Sequence, residues 1–148
     1  MLKNKKLLSL VLVFVCTVSM ATPVFAGKVS VKELVAQTNQ QVEQLIAQAK
    51  VQANQCTVNY QNRVAAENAF LAKNPSQKTV VNQRLQSYKN DYDNQINDIG
   101  NNLVSNAYNK VMDLYNATSR LEVQLSPEYI PVKLGDKIFY VDPLRLVG

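Results

Sequence analysis

The chain has 148 residues, which is enough for one domain after a targeting segment is removed. It carries 16 Lys and Arg against 11 Asp and Glu, a net charge of +5, and it contains no histidine. The lack of histidine excludes Ser-His and Cys-His nucleophilic sites and histidine metal sites. We therefore predict a protein that is not an enzyme, with no catalytic residue, no metal site and no cofactor.

The first 26 residues have the pattern of a secretory signal peptide. Three lysines within the first six residues precede an apolar run at 7–15, and a small residue, Ala26, ends the segment. This pattern predicts cleavage directly after Ala26 and export of the chain. The alternative is a retained membrane anchor, but polar residues from Thr17 onward leave the run short of the ~20 residues of a bilayer span. Lipidation at Cys16 is disfavoured, because a valine precedes it where a lipoprotein signal has a small residue.

Removal of the signal changes the charge argument. Without its three lysines the chain has 13 basic and 11 acidic residues, a net of +2, and the basic residues form no cluster. Nucleic-acid binding requires a clustered cationic surface. We therefore predict no nucleic-acid partner, and no stable membrane span once the signal is removed.

Residues 31–125 have the apolar spacing of two long amphipathic helices. Ser30 and Glu33 form a capping-box pattern at the start of the first helical arm. Lys73-Asn74-Pro75-Ser76 separates the arms, since proline disfavours helical geometry in the residue before it. The apolar positions of the first arm are Val31, Val35, Thr38, Val42, Leu45, Ala49, Ala53, Cys56, Tyr60, Val64 and Leu71. Those of the second are Val81, Leu85, Tyr88, Tyr92, Ile96, Ile99, Leu103, Ala107, Val111, Leu114, Thr118, Leu121 and Leu125.

A narrow apolar stripe on a long helix has to be buried against another helix, and the short connection makes the adjacent arm the natural partner. The fold class is therefore mainly α, a long antiparallel helical hairpin. Folding the chain at Pro75 brings Cys56 near Tyr92, Ala49 near Gly100, Leu45 near Leu103, Val42 near Ala107, Val35 near Leu114 and Val31 near Thr118. Gln and Asn residues between the apolar positions of the first arm, Asn39 among them, are expected to form a solvated face.

Gly100 leaves two architectures open. It faces an alanine in this alignment, which would let two continuous helices approach closely. Glycine also costs a helix about 1 kcal/mol relative to alanine, so the arm could break there and form a three-helix bundle. A second break near Cys56 would give four short helices.

Residues 126–148 have a different pattern. Two β-prone runs, 129–134 and 137–141, flank a two-residue Gly135-Asp136 turn, which predicts a β-hairpin. Pro131 restricts the first run to an edge strand. An isolated hairpin is marginal, so this one must pack on the helices or on a partner. The apolar end of the chain, from Leu144, is expected to dock as well.

The stretch from 132 to 138, VKLGDKI, followed by DPLR at 142–145, resembles the stalk-type repeat of secreted Gram-positive proteins, the copper amine oxidase N-terminal-like family. The resemblance covers about 14 residues, lacks the family's intervening segment, and has Leu134 where the family has asparagine. It implies a cell-surface context and no activity.

Cys56 is the only cysteine that remains after cleavage, so it cannot form an intramolecular disulfide. It is either a buried thiol on the apolar stripe or the site of an intermolecular disulfide. The acidic cluster around Asp91 and Asp93 lacks the glycine and the glutamate of a calcium loop and is interpreted as a solvated helix face. Tyr88 and Tyr92 lie on the stripe, whereas Tyr108 and Tyr115 lie beside it and are the candidate interaction surface.

These observations predict a secreted or cell-wall-associated structural or interaction protein that binds a protein partner through its helical faces or self-associates. One alternative is an extracytoplasmic chaperone-like or binding module whose two arms grip a client. A membrane-active protein would need a strongly cationic amphipathic helix. The mixed Gln/Asn face is against that class.

Overall fold

A computed structural model of the chain describes residues 30–119 and 124–146. The predicted signal peptide at 1–26 lies outside these residues. Helices α1 and α2 are followed by four short strands, and a 3-10 turn joins the helices. The bounds are α1 Val31–Lys73, the 3-10 turn Pro75–Gln77, α2 Lys78–Thr118, β1 Leu125–Pro127, β2 Ile130–Leu134, β3 Lys137–Val141 and β4 Leu144–Leu146.

The two helices form the predicted antiparallel hairpin, and both are continuous. They have 43 and 41 residues, about 60 Å each by helix rise. The chain stays helical through Cys56 and Gly100, so the three-helix and four-helix alternatives are wrong. The capping box is present: the Ser30 hydroxyl accepts from the Glu33 N–H at 3.2 Å, and the Ser30 N–H donates to the Glu33 carboxylate at 2.8 Å. At the other end, α1 ends at Lys73, and its C-cap residue, Asn74, directly precedes Pro75.

The apolar stripes meet in the predicted register. Val42, Leu103 and Ala107 lie in one buried cluster, while Val35 and Leu114 share a second cluster nearer the helix ends. The first cluster comprises Val42, Ala49, Ala53, Tyr92, Ile96, Leu103, Ala107, Val132, Leu134 and Val141. Three of its members come from the C-terminal strands, so the helices alone do not complete the core.

The role predicted for Gly100 requires a correction. The atoms nearest to the space of its missing side chain belong to the ring of Phe139 in β3, and not to Ala49 of α1. A Cβ at position 100 would overlap that ring. The glycine therefore leaves room for a β-strand side chain against α2, a neighbour that the alignment of the two arms did not predict.

The second helical arm is shorter than its apolar spacing indicates. Helix α2 ends at Thr118, and Leu125, which we predicted on its stripe, lies in β1 instead. Near the helix end, the Thr118 hydroxyl donates to the Leu114 carbonyl at 2.9 Å and the Ser119 hydroxyl donates to Asn116 at 3.0 Å. Hydroxyls that bond to nearby carbonyls compete with helix continuation.

The four strands form one long antiparallel ribbon with an interruption. Leu134 pairs with Lys137 next to the predicted Gly135-Asp136 turn, and Gly135 has the positive φ of 60° that such a turn requires. The same register continues from β2 and β3 into β1 and β4, with Pro127 opposite Leu144. Between the two paired regions the Glu128 N–H donates to the Pro143 carbonyl at 2.8 Å. We refer to residues 125–146 as the β-ribbon.

The interruption changes which face of the β-ribbon is buried. Val141 is 1% exposed and Leu144 is 5% exposed, although residues three apart on a regular strand point to opposite faces. The chain therefore turns at Asp142-Pro143. This turn lets β2 and β3 bury one face on the first cluster, while Leu144 packs into the second cluster with Val35 and Leu114.

The β-ribbon lies along one side of the helical hairpin, with β2 and β4 in contact with α1 and β3 in contact with α2. Its turn reaches Tyr92, whose hydroxyl sits in the space beside Gly135. Beyond that point the two helices pack without a third layer. Val81, near the 3-10 turn, is still fully buried, so the arms stay in contact almost to the tip.

Candidate functional site

Tyr108 and Tyr115, the predicted interaction surface, lie on the outer flank of α2. They are 53% and 54% exposed. Seven residues apart, they share a helix face about 10 Å from one another along the axis. In the structure, Tyr108 also lies next to the β-ribbon, because Tyr108 and Tyr140 line the same groove. Tyr115 lies on the same helix face but outside this groove.

The groove runs between α2 and β3 and has a volume of ≈ 360 Å³. Its floor includes Val104, which packs against the first buried cluster. Tyr140, which is 60% exposed, forms the wall on the ribbon side. The full lining is Asn101, Val104, Ser105, Tyr108, Tyr140 and Asp142. We call it the α2–β3 groove.

Asp142 is the charged residue of the α2–β3 groove. Its side chain is half-buried, and its Oδ1 atom has neither solvent contact nor a hydrogen-bond partner. Burial raises the pKa of this carboxyl above its ordinary value, because desolvation disfavours the charged form. In the sequence, Asp142 only follows the second β-prone run, 137–141. Its position in a groove depends on the docking of β3 beside α2, which no local pattern encodes.

Asn39 is a second residue whose role the sequence reasoning missed. We predicted it on a solvated face, but its side-chain amide donates to the Leu144 carbonyl at 2.8 Å and its carbonyl accepts from the Leu144 N–H at 3.0 Å. The side chain thus pairs with β4 as another strand would. This fixes the far end of the β-ribbon on α1 and thereby helps to set the position of the α2–β3 groove.

Cys56 lies in a different, smaller cavity of ≈ 160 Å³ on the other side of the ribbon's turn, together with Tyr60, Tyr88 and Tyr92. Its thiol is half-buried and donates to the Gln95 side-chain carbonyl at 3.2 Å. Burial raises the pKa of the Cys56 thiol, which lowers the fraction of reactive thiolate. The intermolecular disulfide stays a prediction.

The tyrosines around Cys56 are held in fixed positions. The rings of Tyr60 and Tyr92 stack at 4.9 Å between centroids, and the Tyr92 hydroxyl lies 3.3 Å from that of Thr57. Such contacts are those of a packed seam. This agrees with the interpretation of Tyr92 as a stripe residue.

Farther toward the tip, Glu67 is a buried acid that the sequence reasoning also missed. It is 8% exposed, accepts a hydrogen bond from the Tyr88 hydroxyl at 3.1 Å and lies 3.1 Å from Arg84. Glu67 Oε2 accepts no hydrogen bond of suitable geometry, so its interaction with Arg84 is an ion pair without a hydrogen bond. These contacts join the two arms, which makes this cluster structural.

Within residues 30–119 and 124–146 no group of three His, Cys, Asp or Glu residues is placed to hold a metal ion. In the same residues, neither helix combines the length and the apolarity that a bilayer crossing requires. Comparison with family models, with curated proteins and with solved structures finds no match to this chain. The function is therefore argued from the geometry.

Proposed function

We propose that this chain is a non-enzymatic interaction protein that acts outside the cell or at its surface and binds a protein partner through the flank of α2. The observation that carries the proposal is the pair of exposed tyrosines, Tyr108 and Tyr115, on the flank of a helix whose neighbouring stripe is packed in the core. Tyrosine is enriched at protein interfaces, because it combines a large apolar body with a polar tip. A rigid helix also presents such residues at little entropic cost.

Two features of the sequence support the location. The first 26 residues have the composition of an export signal, and residues 132–145 resemble a repeat of secreted proteins. Mass spectrometry of the protein recovered from the culture medium or the cell wall tests this part. We expect an N-terminus at Gly27; an intact Met1 or a cytoplasmic protein would contradict it.

The alternative in which two arms grip a client is less well supported. Such a mechanism needs a space between the arms. Here Val42, Leu103 and Val81 are buried between the helices along most of their length, and the β-ribbon covers one side of the seam. A client would have to bind an outer surface, which is the behaviour of an interaction module.

Site-specific photo-crosslinking in the native cells tests the proposed surface. A photoreactive phenylalanine analogue replaces Tyr108 or Tyr115 in separate variants. Asn62, which is exposed on the part of α1 beyond the β-ribbon, serves as the matched control. We expect a discrete adduct from positions 108 and 115 and none from 62.

The mass of the adduct identifies the kind of partner. An adduct of two copies of this chain indicates self-association, and a heavier or lighter adduct indicates another protein. Equal labelling from all three positions, or none from 108 and 115, would contradict the proposed surface. Robust turnover in a hydrolase screen would contradict the non-enzymatic class.

A further inference from the structure

The β-ribbon has two strand edges without a partner strand, because each of its sheets contains only two strands within residues 124–146. Such an edge carries a row of main-chain N–H and C=O groups that can pair with another extended chain. The two edges are not equivalent. β2 lies on α1, and β3 lies on α2, so the free edge of β3 faces the flank that carries Tyr108.

Pro131 shows which main-chain groups point outward. In an antiparallel ladder, a hydrogen-bonded pair of opposite residues exchanges two N–H to C=O bonds. Pro131 lies opposite Tyr140 and has no N–H, so Pro131 and Tyr140 form a non-hydrogen-bonded pair. Bonded and non-bonded pairs alternate in an antiparallel ladder. The Lys133–Ile138 pair, two residues away, is therefore non-bonded as well. The C=O groups of these four positions, and the N–H groups of Lys133, Ile138 and Tyr140, consequently point to the free edges.

The edge of β2 is protected against pairing with a further strand, and the edge of β3 is not. On β2 the outward position at Pro131 has no donor, which is a common protection of edge strands. On β3 both Ile138 and Tyr140 keep an N–H and a C=O. Their side chains are 58% and 60% exposed, so an added strand would also find apolar contacts there.

The α2–β3 groove lies beside this open edge. A chain that pairs with β3 would place alternate side chains between the strand and α2, where Val104 and Tyr108 offer apolar surface. Asp142 contributes the charge: its Oδ1 lies out of solvent contact without a donor. A positively charged side chain that enters the groove would lie beside the Asp142 carboxylate and form a charge-assisted contact with it.

We propose that the α2–β3 groove binds an extended peptide segment of a protein partner, which adds to β3 as a third strand and places a lysine or arginine against Asp142. This inference rests on the proposed function, because it names the chemistry of the partner that the α2 flank receives. Main-chain bonds to Ile138 and Tyr140 supply affinity, and Asp142 supplies the preference for a basic residue.

A second copy of this chain fits the groove less well. Antiparallel pairing of two β3 edges that uses all outward groups sets Ile138 opposite Tyr140 of the second copy. The same register sets Asp142 opposite Asp136 of the second copy, and like charges directly opposite each other are destabilising. Charge therefore favours a basic segment of another protein.

Peptide titration of the ¹⁵N-labelled protein, expressed from the full-length sequence, tests the inference by NMR. The probe is a capped heptapeptide in which threonine and valine alternate around a central arginine, and its counterpart carries a central glutamate. We expect the amide signals of Ile138 and Tyr140 to shift with the arginine peptide while that of Lys133 does not. The glutamate peptide should bind at least about tenfold more weakly.

Matched proline variants distinguish the two edges. Ile138→Pro removes an outward N–H from β3, and Lys133→Pro removes the outward N–H of the residue opposite it on β2. The two changes should therefore destabilise the β2–β3 pairing to a similar extent. Ile138→Pro should weaken binding of the arginine peptide at least about tenfold, while Lys133→Pro leaves it unchanged. Asp142→Lys, which needs no proline in the ribbon, should reverse the preference between the two peptides.

Several results would overturn the inference: no shift at Ile138 and Tyr140 up to millimolar peptide, equal binding of both peptides, or no reversal in Asp142→Lys. Edge amides that shift with protein concentration alone, together with a doubled mass by light scattering, would assign the edge to a second copy instead. Crosslinking from Tyr115, which lies outside the groove, separates the two proposals. An adduct there with no edge binding would retain the proposed function and remove only this inference.

Discussion

Replacement of Gly100 by alanine has an effect whose sign depends on the docking of the β-ribbon. On an isolated helix Gly100→Ala would raise the free energy of unfolding by about 1 kcal/mol. In the folded protein the new Cβ would overlap the ring of Phe139, which is half-buried against the first cluster. Overpacking of this kind costs about 1–3 kcal/mol, and displacement of the ring would lose burial of similar size.

The balance is a net loss of about 0–2 kcal/mol for Gly100→Ala. Urea unfolding followed by circular dichroism measures it, and a loss of 1.5 kcal/mol would lower the midpoint by about 1 M. In a Phe139→Ala background the clash is gone, so Gly100→Ala should then raise the free energy of unfolding by about 1 kcal/mol. Asn94→Ala, an exposed change on the same helix, controls for helix propensity.

The opposite result for the single variant would refute the reasoning. If Gly100→Ala stabilises the otherwise unchanged protein by about 1 kcal/mol, the helix gains propensity without a clash. Phe139 would then not lie against α2, and the β-ribbon would not be docked there. The α2–β3 groove would lose its ribbon wall, so this measurement also bears on the interaction surface.

Three further changes test the fixed end of the β-ribbon, the groove and the thiol. Asn39→Ala should lower the free energy of unfolding, measured in urea, by about 1–3 kcal/mol, because it leaves the Leu144 N–H and C=O without partners. As a control, Asn54→Ala at an exposed position should change the free energy of unfolding by less than about 0.5 kcal/mol. Asp142→Asn should stabilise the protein at neutral pH. Burial raises the pKa of Asp142, so the unsubstituted protein should lose stability relative to the variant as pH rises from the ordinary pKa of 3.8 through the raised one. Unfolding titrations at different pH should show this loss, and well below pH 3.8 the difference between the two proteins should no longer change with pH. Cys56 should react with iodoacetamide at pH 8 at least about tenfold faster in urea than in the folded protein. A dimer band that disappears on reduction would support the intermolecular disulfide, and its absence from freshly secreted protein would count against it.

The sequence was sufficient for the elements that depend on local chemistry. Spacing of apolar residues predicted both helices and their register, Pro75 predicted the turn, and the Gly135-Asp136 pair predicted the hairpin. These features arise from neighbours within a few residues or from one short connection. The end of α2 was not predictable in the same way, because residues 121 and 125 continue the helical spacing although Leu125 belongs to a strand.

The parts that the sequence did not reveal depend on distant contacts. Asn39 and Leu144 are 105 positions apart, and an asparagine between a threonine and a glutamine gives no sign of such a partner. Gly100 signalled something unusual in α2, but only the position of Phe139 showed what fills the space. Tyr108 was a candidate from its place beside the stripe, while the groove that it shares with Tyr140 required the docked β-ribbon.

The docked β-ribbon also answers a problem of stability that the helices pose. Two helices bury one stripe each, which is a thin core and would favour a bundle or a dimer. Here Val132, Leu134 and Val141 supply a third layer from the same chain, and each is at most 2% exposed. Within residues 30–119 and 124–146, the β-ribbon therefore covers one side of the helical core. Because the inner face of the β-ribbon is used for this purpose, its outer face and its open β3 edge stay exposed beside the flank of α2.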